Sequence, residues 1–229
     1  LMTSESRSNW NDIAERYAQE LIIRTDDVHF GVGIPGNRHL GLIVKAPGNS
    51  AVDLACGAGE NLVALTSLGY SVCGLDSSMA QVERAQSTLQ RCGVTGSVVC
   101  ADMCDITDLE GMTFDLVLCV GAAHFCSSFS AFAASSRRLL ASGGTFVLSL
   151  PHPMDMLVDL AEIGGRRVVS VRSYYPDGNR VVNAHYWTKF AGRLELVDGL
   201  VEYLYRPSDV VNGLIENGFR ISGLWEPRY

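Results

Sequence analysis

The chain has 229 residues, 47% of them hydrophobic, enough for one α/β domain with a full core and an elaborated cap. No apolar run of about 18 residues offers a membrane span, and no basic stretch ahead of an apolar one marks a secretory signal. Against 25 Asp and Glu stand 18 Lys and Arg, a net charge of −7; with no basic block, a nucleic-acid partner is not expected, since such binding rests on neutralising phosphates.

A small organic substrate is the simpler expectation, and the composition says nothing of oligomeric state. Seven cysteines contain no CxxC pair and no histidines at zinc-ligand spacing, so no metal site is expected. Most lie in apolar runs and read as small hydrophobes, which points to a reducing, cytoplasmic compartment.

In chain order, Trp10, Ile13, Ala14, Tyr17 and Leu21 recur at helical spacing behind Ser8 or Asn9, an amphipathic N-terminal helix. Residues 25–37 form a loop in which glycines flank His29-Phe30, the composition of a lid, and 38–46 read as a short helix. The next section alternates: strand 51–54, helix 60–68, strand 70–75, helix 78–91, strand 96–101, strand 114–120, helix 128–140, a Gly143-Gly144 turn and strand 145–150. Strands alternating with helices of this length mean βαβ units and a doubly wound, Rossmann-like α/β fold.

After residue 150 the rhythm changes. Residues 154–163 suggest a helix. Segments 166–175 and 180–190 read as a hairpin around Pro176-Asp177-Gly178-Asn179, and 194–205 as a further strand. Pro207 opens a helix closed by Gly218, and 219–225 read as a last strand. The expected organisation is a single domain over 1–229: N-terminal helices and lid at 1–47, a ligand-binding core at 48–150, a β-rich cap at 151–205, and a C-terminal helix and strand at 206–229.

Chemistry concentrates at the strand ends, where ligands of open parallel sheets sit. Val52-Asp53-Leu54-Ala55-Cys56-Gly57-Ala58-Gly59-Glu60 runs from a strand into two glycines that let backbone pass against a ligand. The following helix N-terminus offers amide donors to a carboxylate. Asp76, before Ser77, ends the second strand and suits the two hydroxyls of a ribose. Asp102, before Met103, follows the third and suits an exocyclic adenine amine, with Met103 against the purine. A dinucleotide fingerprint wants glycine at position 62; Leu62 stands there, and no P-loop occurs.

These residues resemble the class I S-adenosylmethionine-dependent methyltransferases over about 48–150: 52–60 is similar to that family's first motif, 74–78 to its ribose-binding motif, 101–105 to its adenine-binding motif, 114–125 to its fourth-strand motif and 139–149 to the region of its fifth strand. Ala55 replaces a glycine and Ser142 a proline common in the family. The resemblance implies S-adenosylmethionine as cofactor and S-adenosylhomocysteine as product. It also implies a seven-stranded, mostly parallel sheet with one antiparallel strand. The cofactor contacts it implies are Asp53, Ala55, Cys56, Gly57, Gly59, Asp76, Ser77, Asp102, Met103 and Val120, with Tyr17 reaching the methionine end.

Methyl transfer rests on holding two reactants in line, and a histidine helps where a proton must leave. His124 after the fourth strand and His152 after the fifth, between Pro151 and Pro153, are the candidate bases. His29 and Phe30 in the early loop and Tyr186 and Trp187 in the cap are the candidate substrate contacts, the cap also holding Tyr174, Tyr175, His185 and Phe190. Macromolecular methylation, a non-catalytic cofactor-binding role and a nicotinamide oxidoreductase are the alternatives, the last disfavoured by Leu62.

Overall fold

Five parallel strands, in the order β3-β2-β1-β4-β5, carry the molecule. The computed structural model describes residues 10, 11, 14, 23–46, 49–163, 166–171, 173–175, 180–183 and 200–227. The strands are β1 Ser50–Leu54, β2 Ser71–Asp76, β3 Gly96–Cys100, β4 Phe114–Val120 and β5 Leu140–Ser149. Helices α1 Asn37–Leu40, α2 Glu60–Ser67, α3 Met79–Arg91 and α4 Phe129–Leu139 lie among them in sequence.

Strand β1 is buried on both faces, which is why its sequence is a near-continuous apolar run. Ala51, Val52 and Leu54 are fully buried, and Asp53 is 2% exposed. Side chains alternate between two core layers. Val52, Leu54, Leu75, Val117 and Cys119 meet Phe129, Phe132 and Leu139 of α4. Ala51, Val72, Leu116 and Leu118 meet Leu62 and Leu65 of α2 and Ala85 and Leu89 of α3. Ser78 caps α3 by accepting the Gln81 N–H, and Ser128 caps α4 by accepting the Ala131 N–H.

Register aligns the strand ends. Leu54 pairs with Leu75 on one side and Cys119 on the other, and Asp76 pairs with Cys100. Asp102 therefore lies just past the third strand end. Because β1 is flanked by β2 and β4, the chain order reverses there, and a crevice opens at this switch point.

Among the described residues the sheet has five strands, all parallel, where seven with one antiparallel were expected. Residues 219–225 do not extend it. Phe219 packs on Phe146 with ring centroids 5.2 Å apart, but Leu224 and Trp225 are exposed and no ladder takes up their backbone. Among the described residues, the outer edge of β5 has no partner strand.

Three more expectations change. The helix at 38–46 is α1 alone. Gly41 ends it at φ 64°, and buried Asn37 exchanges 2.7 Å hydrogen bonds with the backbone N–H and C=O of Ile43, turning the chain. The helix at 154–163 is α5 Pro153–Leu157 followed at once by β6 Val158–Ile163, antiparallel to β7 Arg166–Val171. Gly164-Gly165, outside the described residues, is a hairpin signal in the sequence. The turn of the hairpin expected around 176–179 lies outside the described residues; among those described, β7 pairs with β6, and β8 Arg180–Asn183 pairs with β9 Leu200–Tyr203. Helix α6, Pro207–Glu216, follows.

All seven cysteines are free thiols, and Cys92 and Cys100 are exposed. Among the described residues, no helix is long and apolar enough to cross a membrane.

Candidate active site

The turn after β1 is held in an unusual conformation. Ala55 has φ 64°, Gly57 φ 55° and Gly59 φ 85°. A left-handed alanine costs about 1–2 kcal/mol. The Cys56 N–H donates to the Leu75 carbonyl at 2.9 Å, stitching the turn to β2. A Cβ on Gly57 would meet nothing within 4 Å, so this glycine faces open space. One on Gly59 would lie 3.1 Å from Cα and Cβ of Ala85, so that glycine lets α2 and α3 approach.

Asp76 joins two strand ends. Its Oδ2 accepts the Gly57 N–H and its Oδ1 the Ser78 N–H, both at 2.9 Å. Burial pushes its carboxyl up to about 6 against these bonds. Ser77 lies between these two anchors, at the same rim. Asp102 is buried, and its Oδ1 accepts the Cys104 N–H at 2.9 Å.

A cavity of about 60 Å³ opens at the switch point, lined by Asp53, Ala55, Cys56, Gly57, Glu60 and Val120 among others. Asp53 Oδ1 is buried there without a hydrogen-bond partner. Burial, then the charges of Asp76 and Glu60, raise its carboxyl well above the usual range. Burial likewise raises the Cys56 thiol. An orphaned buried acceptor beside two further acids and an open glycine calls for a cationic donor. S-adenosylmethionine, with its ammonium and sulfonium, fits that demand.

The early loop reaches the same cavity. The His29 N–H donates to Asn61 Oδ1 at 2.9 Å, and Asn61 Nδ2 returns a bond to the His29 carbonyl at 3.2 Å. His29 lines the cavity, and burial lowers its imidazole pKa to about 4. A second cavity of about 390 Å³, bordered by Asp26, Asp27 and Arg38, shares Ile23 and His29 with the first.

Two expected contacts sit elsewhere. Phe30 is 3% exposed and packs with Val28, Ile43 and Leu62, while its carbonyl accepts the Ser149 hydroxyl, so it anchors the loop. Met103 is 2% exposed among Leu54, Leu75 and Leu109, which sets its thioether in the core and not against a purine. Both are apolar side chains for which the core offers more burial than a wet cleft.

The two histidines differ sharply. His124 lies on the 3-10 turn Ala123–Phe125, 2% exposed, with Nε2 3.3 Å from Oε1 of Glu202, itself 1% exposed. His152 is half exposed. Its Nδ1 accepts the Met154 N–H at 3.1 Å as the cap of α5, and its Nε2 lies 3.3 Å from the exposed Glu226. Tyr17, Tyr186 and Trp187, with His185 and Phe190, lie outside the described residues.

Sequence reasoning missed Asn61 and Glu202. Each leaves a trace: Asn61 stands one turn before Leu65 on the buried side of α2, and Glu202 interrupts the apolar run Leu200-Val201-Glu202-Tyr203-Leu204.

A parallel doubly wound sheet with acids and glycines at adjoining strand ends defines an α/β enzyme of the nucleoside-cofactor class. Residues 52–148 match the family model of the methyltransferase domain. That match over residues 52–148, with the likeness to solved structures below, supports an S-adenosylmethionine-dependent methyltransferase with S-adenosylmethionine as its cofactor.

An S-adenosylmethionine-dependent methyltransferase from Mesorhizobium loti is 26% identical, with 80% of each chain covered and a TM-score of 0.62. The glycopeptide N-methyltransferase MtfA, solved with S-adenosylmethionine, is 20% identical over 81% of this chain and 82% of its own, TM-score 0.56. The sugar N-methyltransferase KedS8 from a Streptoalloteichus species is 19% identical over 93% and 78%, TM-score 0.51. No curated protein matches the sequence.

Proposed function

We propose that the enzyme methylates a nucleophilic O, N or C atom of a small organic molecule, in a biosynthetic pathway. The observation that carries the cofactor's placement is Asp53, a buried acceptor with one oxygen unsatisfied, facing the cavity beside Gly57. In this reading Asp53 takes the methionine ammonium, Asp76 the ribose hydroxyls and Asp102 the adenine amine. Gly57 and Gly59 let the backbone pass, while Ala55, Cys56, Ser77 and Val120 complete the rim. Tyr17 reaches the methionine end from the N-terminal segment.

When bound, S-adenosylmethionine supplies a methyl group activated by the positive charge on its sulfur. The protein's part is to hold the acceptor in line and exclude water, worth up to about 7–11 kcal/mol of effective molarity. His29 closes over the cavity from the loop within 1–47, anchored through Asn61 and Phe30. The core at 48–150 holds the cofactor. Tyr186 and Trp187 in the cap at 151–205 border the acceptor, and 206–229 brace the sheet. His124 takes the acceptor's proton. His152, with both ring nitrogens committed to a helix cap and to Glu226, shapes the strand end beside it.

The net charge of −7 supports a small acceptor over RNA. So do folds shared with enzymes whose acceptors are a glycopeptide and a sugar. Seven free thiols support a reducing, cytoplasmic setting.

The test supplies methyl-labelled S-adenosylmethionine with a low-molecular-weight metabolite filtrate, total RNA or total protein. Label is expected in the small-molecule fraction, with matching release of S-adenosylhomocysteine. Label confined to RNA or protein would overturn the small-molecule assignment.

A further inference from the structure

Residues 23–38 enclose a cavity of their own and are pinned where it meets the cofactor site. Asn61 of α2 exchanges hydrogen bonds with the His29 backbone, the Ser149 hydroxyl holds the Phe30 carbonyl, and the Asn37 N–H donates to the Val28 carbonyl at 2.8 Å. At about 390 Å³ the cavity lies within the range of small-molecule sites. Ile23, Val32 and Ile34 give it an apolar wall. Through Ile23 and His29 it shares a wall with the cofactor cavity.

The charges that border it are arranged unequally. Asp27 turns inward: both its oxygens lie 3.1 Å from the Arg38 backbone nitrogen, and a Cβ on Gly36 would stand 2.2 Å from its Oδ2. Its carboxylate answers the backbone at the start of α1. Asp26 instead gathers two guanidiniums. Arg24 binds both its oxygens at 2.8 Å, and Arg38 adds a bond to Oδ2 at 3.1 Å. His29, its pKa lowered to about 4 by burial, adds no charge near neutral pH. Two positive charges thus meet one carboxylate at the rim, on side chains 79% and 68% exposed. Ion pairs this wet contribute little and exchange readily for another anion. Guanidinium forks suit the oxygens of a carboxylate or a phosphate.

We propose that this loop cavity is the acceptor subsite, and that the acceptor is a small molecule bearing a carboxylate or phosphate, which Arg24 and Arg38 hold at the rim away from the atom that takes the methyl group. The inference rests on the small-molecule reading of the function. Ile23, Val32 and Ile34 take the body of the acceptor, and the wall at His29 turns its nucleophile toward the sulfonium. A cationic or uncharged acceptor leaves the surplus guanidinium unanswered.

A metabolite filtrate divided by anion exchange before reaction, then supplied with methyl-labelled S-adenosylmethionine, tests this. Label is expected in the anionic fraction. Prior phosphatase treatment of that fraction abolishes uptake if the group is a phosphate and spares it if it is a carboxylate. With the acceptor purified from it, Arg24→Gln/Arg38→Gln is expected to raise KM about tenfold or more at similar kcat and unchanged S-adenosylhomocysteine affinity. Both side chains are exposed, so the fold tolerates the change. Arg24→Lys/Arg38→Lys, which keeps the charges and loses the forks, is expected to recover part of the KM.

Uptake confined to the neutral or cationic fraction, or a KM that the Gln variant leaves unmoved, overturns the subsite alone. No label in any fraction of the filtrate removes the small-molecule reading and the subsite with it. A protein that ignores S-adenosylhomocysteine removes the cofactor reading instead.

Discussion

Asp76→Ala is expected to weaken S-adenosylhomocysteine binding by about 10²-fold or more, read by titration calorimetry. Two hydrogen bonds from ribose to a carboxylate are worth about 1.5–3 kcal/mol each, and about 1.4 kcal/mol is a decade in affinity. The substitution also strips the acceptor from the N–H groups of Gly57 and Ser78, loosening the turn that shapes the cavity.

The wild type carries a pH signature of the same residue. Burial lifts the Asp76 carboxyl from an ordinary 3.8 to about 6. Its contribution to the unliganded fold is complete below pH 3.8 and is lost as the pH rises through about 6, because the unfolded chain ionises more readily. Cofactor affinity moves the other way, rising through the same window as the carboxylate forms. Asp76→Asn abolishes that rise. Equal affinity at pH 5 and 7, or an unaltered Ala variant, would remove Asp76 from the ribose site.

The second large effect is on the fold. Gly59→Val places a β-branched side chain at φ 85°, with its Cβ 3.1 Å from the backbone of Ala85. Ala85 is fully buried on α3 and cannot retreat. Backbone strain of about 1–3 kcal/mol adds to overpacking of similar size. The urea midpoint should drop steeply, and binding should go with it.

Gly57→Ala is the contrast. Nothing within 4 Å meets its Cβ, so it costs the left-handed penalty of about 1–2 kcal/mol but directs a methyl into the space assigned to the cofactor. A large midpoint drop in the first variant, and binding loss with a distinctly smaller drop in the second, would separate the two glycines. Equal midpoints would contradict this division.

What was legible in the sequence follows from local physics. Parallel strands buried on both faces produce short apolar runs, so β1 to β5 stand out, and an acid or glycine just past each run marks the ligand edge. Gly57 and Asp76 meet across that edge at 2.9 Å.

Partnerships between distant segments were not legible. Nothing local says that Glu202 faces His124, that Asn61 clasps the His29 backbone, or that β9 pairs with β8. Residues 219–225 alternate like a strand, but a strand exists only where a neighbour takes up its backbone. Phe30 and Met103 show the same limit: chemistry made them candidate contacts, and packing drew their side chains into the core. Gly164-Gly165 was a local signal that the apolar residues before it masked.

The most direct measurement is a crystal structure with S-adenosylhomocysteine. The account predicts ribose hydroxyls on Asp76, the adenine amine at Asp102, the ammonium on the orphaned oxygen of Asp53, and the sulfur beside Val120. Ligand bound away from the β1 turn, or ribose and ammonium turned from these three carboxylates, would contradict it.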